Sequence, residues 1–166
     1  MIPFKSMLTT ALVAAVSCTL ASAAAAEKIK VLIVTGQNNH DWVRTTPLIK
    51  VFLEQDDHFA VTVSTSPSDK APKDAWDAWN PEFAKNDVVL SDYNGQMWPD
   101  AIKTRFVEYV RNGGDVVIVH AANNAFSGWK EYEEMCGLLW RDNNFGTALH
   151  LDDSLKQVIL PKGEGP

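Results

Sequence analysis

Three of the four histidines in this 166-residue chain stand in loops crowded with asparagine, aspartate and tryptophan. His40 lies in "GQNNHDW", His120 opens "HAANNAF", and His150 falls in "RDNNFGTALHLDD". Imidazole changes charge near neutral pH, so these positions suit acid–base catalysis, metal ligation or plain hydrogen bonding. There is no HxH or HExxH pair, so spacing alone does not choose among them. His40, His120 and His150 together form a candidate ligand set for a divalent metal such as zinc. His58, in "EQDDHFAV", sits apart from the others and reads as a solvated turn residue.

The company these histidines keep points to sugars. Hydroxyl groups need convergent donors and acceptors, and the apolar face of a pyranose stacks on an aromatic ring. Asn39, Trp42, Tyr93 and Asn124 are the candidate sugar contacts, and Asp92 is the candidate partner that orients a histidine or accepts a proton. Asn and Asp also satisfy backbone groups in ordinary turns, so no single Asn-Asn pair carries this reading. Of the six tryptophans, Trp140 and at least one of Trp76 and Trp79 read as packing residues.

The elements that must position these residues alternate along the chain. "IKVLIVTG" reads as a buried strand, and "TTPLIKVFLEQ" as a helix with Thr45 or Thr46 as cap, Pro47 in the first turn and Leu48, Val51 and Phe52 on one face. "FAVTVSTS" is a second strand, and "DAWDAW" lies in a polar stretch with room for one helical turn. "DVVLSD" is a third strand. Pro99 then opens a helix carrying Ile102, Phe106 and Val110, and Gly113 sits where a left-handed cap belongs. "DVVIV" is a fourth strand, "GWKEYEEMCGLLW" a further helical segment, and "LKQVIL" a late strand. Near-continuous apolar strands alternating with helices predict an open parallel sheet covered on both faces. Ligands of such sheets bind beyond the carboxyl ends of the strands, at the topological switch point. His40, Asp92 and His120 all follow strands there.

Several classes are excluded by what is missing. The sequence has no GxGxxG, no GxxxxGK[ST] and no GxSxG, so neither a nucleotide cofactor nor an α/β-hydrolase serine is expected. The net charge of −6, without a basic run, argues against nucleic acid as a partner. No two acids stand out as a carboxylate pair of glycosidase type.

Residues 1–26 read as a signal peptide, with Lys5 ahead of an apolar run and small residues at the end, so a secreted or periplasmic location is expected and no membrane span. Cys18 as a lipid-bearing residue is the less favoured alternative, because "AVS" ahead of it is a poor lipobox. Cys136 is then the one cysteine of the mature chain and reads as an inert packing thiol. The turn-rich ending "PKGEGP" is expected to be the front of something longer, making 27–166 one incomplete domain. A homo-oligomer is compatible with this composition.

Taken in order, "VLIVTGQNNHDW", "DVVLSDYNGQMWP", "FVEYVRNGGDVVIVHAANNAF" and "YEEMCGLLW" resemble the ThuA-like (trehalose utilisation) family, over roughly residues 29–151. The resemblance implies a flavodoxin-like sheet of the class I glutamine amidotransferase-like superfamily. In amidotransferases the strand matching "VVIVH" leads into an elbow that carries a nucleophilic cysteine. Here His120 stands at that point, so glutamine hydrolysis is not expected. The resemblance also implies a role in disaccharide or 3-keto-glycoside catabolism, as a hydrolase or lyase, with His40 facing His120 and His150 matching a further histidine. The rival reading is a non-catalytic sugar-binding or scaffold domain on the same fold.

Overall fold

The computed structural model describes residues 27–142 and 145–164; the leader read over 1–26 and the Asn143–Asn144 pair lie outside them. Strand β1 (Ile29–Thr35) runs into α1 (Trp42–Glu54), then β2 (Phe59–Thr65), α2 (Lys73–Ala78), β3 (Val88–Ser91) and α3 (Asp100–Arg111). Strand β4 (Asp115–Ile118) follows, then α4 (Lys130–Cys136), and finally β5 (Ala148–Leu151) and β6 (Gln157–Leu160). Strands β2-β1-β3-β4 lie side by side in that order, and every pairing is parallel. This is the open parallel sheet expected from the alternation of elements, in the flavodoxin-like arrangement that the resemblance implies, with its switch point between β1 and β3.

The alternation of side chains along β1 divides the core in two. Val31 and Ile33 face α1, together with Val61 and Leu90, and are met there by Ile49 and Leu53. Leu32 and Val34 face the other way, into a larger aromatic cluster shared with α2, α3 and α4. Helices therefore cover both faces, because a parallel strand buried on both sides must be apolar at odd and even positions alike. At the centre of the larger cluster is Trp98, whose ring stands 4.8 Å from Phe126 and 5.6 Å from Phe106.

Helix α3 ends as its sequence predicts. Gly113 adopts φ 92°, and the N–H groups of Gly113 and Gly114 donate to the carbonyls of Val110 and Tyr109. That paired arrangement is the Schellman cap, which only a residue tolerant of positive φ completes without strain.

Four expectations are corrected. Helix α1 starts at Trp42, three residues ahead of the predicted caps, and Pro47 lies inside it. Leu48, Val51 and Phe52 face outward at 57%, 52% and 68% exposure; the buried side carries Thr46 instead. A strand, β5, occupies what read as loop, pairing antiparallel with β6 so that His150 sits opposite Val158. Trp140 is exposed rather than packed, while Trp76 is buried as expected. Among the described residues no helix is long and apolar enough to cross a membrane.

The two halves of this picture differ in what substitution should cost. Phe106→Ala, at a fully buried position, is expected to lower unfolding free energy by about 3–5 kcal/mol. Phe52→Lys, on the outward face of α1, should change it by no more than about 0.5 kcal/mol. Urea unfolding of both variants checks the assignment of the helix face.

Candidate functional site

Parallel register delivers the site. Val34, Ser91 and Ile118 stand in one row across β1, β3 and β4. Beyond that row Asp92 N–H donates to the Val34 carbonyl and Val119 N–H to that of Ser91. The chains leaving three neighbouring strands thus start level, and His40, Asp92 and His120 follow within a few residues.

Asp92 is nearly inaccessible at 3% exposure, yet ionisable. A buried carboxyl must be hydrogen-bonded, and this one is. Thr46 Oγ1 donates to its Oδ2 at 2.7 Å, and Asn38 Nδ2 donates to its Oδ1 at 3.3 Å. Thr46 has one hydroxyl proton, so when it donates to Asp92 its oxygen accepts from Thr35 Oγ1, 2.8 Å away. Burial pushes the Asp92 carboxyl above its usual range, opposed by the Thr46 hydrogen bond and by the charge of His40. The buried position of Thr46 on α1 is explained by this contact.

His40 and His120 meet above it. Their ring centroids are 4.7 Å apart, with planes inclined by 38°. The loop that carries His40 folds back on itself, its backbone N–H donating to Asn38 Oδ1 at 3.0 Å. His120 stands at φ 43°, in the left-handed region that non-glycine residues rarely enter, where β4 turns into a short 3-10 segment, His120–Asn124. Strain of this kind marks a strand-to-helix elbow that holds a side chain up for use. The turn is held from behind by Tyr132, whose hydroxyl donates to the Ala122 carbonyl at 2.8 Å. Arg141 adds a second tie, donating to the Asn124 carbonyl at 3.4 Å and to Glu133 Oε1 at 3.1 Å.

The other candidates fall into separate places. Asn39 and Trp42 line a groove of about 370 Å³ alongside Asn94, next to the His40 loop. Asn124 is half-buried and held through its carbonyl by Arg141. Tyr93 is fully buried, its ring stacked on Phe126 at 5.4 Å and its hydroxyl donating to the Gln96 carbonyl, so it forms the floor beneath the loop. Trp98, a few residues beyond the third strand, is core. His150 lies on the β5–β6 hairpin, exposed. His58 is an exposed turn residue tied to Asp56, as predicted. A larger concavity, about 730 Å³, lies at the opposite rim beside Arg105 and Tyr109; it is remote from the histidines and from the strand ends where ligands of this fold bind.

For a metal, the donors fall short. Among the described residues no three of His, Cys, Asp and Glu are grouped closely enough to hold an ion. His40 and His120 supply two imidazoles, one fewer than the three protein ligands of a catalytic zinc site, and Asp92 is committed below. Cys136 closes α4, and burial raises its thiol above the ordinary value, which suits an inert packing residue. No cysteine stands at the elbow.

Groove-lining residues that sequence reasoning missed are Ser68 and Asp69, which reach the same groove from the β2–α2 loop. No local motif marks them.

Two measurements follow from this geometry. Because the Asp92 carboxyl is raised on folding, the native state binds its proton more readily than the unfolded chain. Stability is then lost as pH climbs from the ordinary aspartate value of 3.8 through the raised value, and the loss persists above it. Asp92→Asn is expected to flatten that part of the urea-midpoint profile; an unchanged slope would mean that Asp92 is not raised. At the elbow, His120→Gly is expected to be more stable than His120→Ala by about 1 kcal/mol, because glycine accepts positive φ and alanine does not.

The same architecture recurs in solved proteins. The crystal structure of a ThuA-like protein from Parabacteroides merdae superposes with a TM-score of 0.70 at 39% identity, over 84% of this chain and 50% of that one. A ThuA-like protein from Bacteroides uniformis shares the fold at a TM-score of 0.50 and 20% identity, over 86% of this chain and 62% of that one. The chain therefore spans about half to three-fifths of the length of these proteins. No curated protein matches it. The family model for ThuA, trehalose utilisation, matches residues 30–160, and the chain belongs to that family.

Proposed function

We propose that this domain, exported by the leader read over residues 1–26, binds a glycoside or 3-keto-glycoside at the strand-end rim and processes it by hydrolysis or elimination. The observation that carries the reading is the contact between His40 and His120 above a buried carboxylate. Two imidazoles in contact can divide the work of proton transfer, one ring accepting a proton and the other donating one. That is the complement an elimination needs. The neutral ring takes the hydrogen next to the ketone, and the protonated ring gives its proton to the departing glycosidic oxygen. Asp92 lies close enough to His40 to feel its charge, and Thr46 and Asn38 hold the carboxyl in place. A hydrolysis uses the same pair, with water in place of the carbon acid. A divalent metal such as zinc would take His40 and His120 and needs a third donor, for which the sequence offers His150.

Glutamine amidotransfer is not part of this proposal, because the elbow presents imidazole where that chemistry needs a thiolate. A non-catalytic sugar-binding domain is the second reading, favoured by the groove of neutral amides beside Trp42.

The two are separated by His120→Ala. For an enzyme, turnover of a 3-keto-glycoside should fall by about 10²–10⁴ while binding of the glycoside stays within a few-fold. Undiminished turnover in the variant would remove the histidine mechanism. Binding without any turnover by wild type, on keto-glycosides and on trehalose or sucrose, would establish the binding module.

A further inference from the structure

We propose that the groove beside Trp42 is a second sugar subsite, seating the non-reacting unit of a disaccharide whose other unit lies on the His40–His120 pair. This rests on the glycoside reading above and names the part of the ligand that reading leaves open.

The groove has the size and construction of a preformed small-ligand site. Its volume, about 370 Å³, lies within the range of such pockets. Three loops wall it, following β1, β2 and β3, and one side chain braces all three. Gln37 donates from Nε2 to the Pro67 carbonyl at 2.8 Å and accepts at Oε1 from Gln96 N–H at 3.0 Å. Asn94 adds a direct bond, its Nδ2 donating to Asn39 Oδ1 at 2.8 Å. Gly36, at φ 120°, lets the first loop lie against Ser66, where any Cβ would come within 2.5 Å of its hydroxyl oxygen. Loops cross-braced in this way lose little further freedom when a ligand arrives.

The bracing also shows which groups are left for a ligand. Among the described residues the hydrogen bonds made by Asn39 and Asn94 to each other use one amide end of each. Asn39 Nδ2 and Asn94 Oδ1 remain, as do the Ser68 hydroxyl and the Asp69 carboxylate. Two donors, three acceptors and an indole face, with no cationic side chain in the lining, suit a neutral polyhydroxylated ring rather than an anion. Its position supplies the link to chemistry. Asn39 lines the groove and the next residue, His40, touches His120, so one loop carries both the groove wall and an imidazole of the pair.

The test uses glucose and a thio-linked disaccharide of glucose, which cannot be cleaved, with affinities read by calorimetry. The disaccharide is expected to bind wild type at least about tenfold more tightly than glucose. Trp42→Ala and Asp69→Asn should each remove most of that advantage. Asp69 is exposed, so its variant reports on the groove even where Trp42→Ala disturbs α1. A disaccharide advantage untouched by both variants would overturn the subsite while sparing the sugar reading. Equal affinity for the two sugars would also overturn it. Binding of neither would overturn the subsite together with the glycoside reading beneath it.

Discussion

Val34, Ser91 and Ile118 stand abreast in three parallel strands, and each chain leaves the sheet within two residues of that row. This register is what the rest of the molecule depends on. It brings the β1 loop, Asp92 and the β4 elbow to one place, although His40 and His120 are 80 positions apart in the sequence. A one-residue slip of β3 would turn Asp92 and Ser91 about and send the carboxyl to the other face.

The chemistry then follows from burial. A carboxyl at the head of β3 must be satisfied, and α1 supplies Thr46 to do it, with Thr35 of β1 behind. This hydroxyl pair ties strand, helix and carboxyl together in the space where an all-apolar helix face would have left Asp92 unpaired, a costly state for a buried charge. His120 shows the complementary case. Its left-handed backbone is unfavourable on its own and is kept by the packing of Ala121, Ala122 and Tyr132 beneath it. Both features place stability second to the presentation of polar groups at the rim.

Much of this was legible in the residues. The strands announce themselves by continuous apolar runs, and the rule that ligands bind beyond their carboxyl ends selects His40, Asp92 and His120 without further information. Helix α1 misled because it carries two apolar stripes, Leu48–Val51–Phe52 and Ile49–Leu53, and the buried one contains a threonine that hydropathy counts as polar. Strand β5 is four residues long, too short for its alternation to stand out from loop. Tyr93 and Trp98 follow a strand just as Asp92 does, but aromatic rings at that point turn inward or outward according to what the aromatic cluster can accept. Ser68 and Asp69 belong to the groove only because Gln37 fastens the next loop to theirs, a tertiary contact without a local signature.

The most direct test of the account is nuclear magnetic resonance mapping of the protein with an added 3-keto-glycoside or trehalose. The imidazole signals of His40 and His120 should move together with the side-chain amides of Asn39 and Asn94, while His58, exposed at the other end of the sheet, stays still. Shifts gathered instead around Arg105 and Tyr109 at the opposite rim would contradict the assignment of the histidine pair as the functional centre.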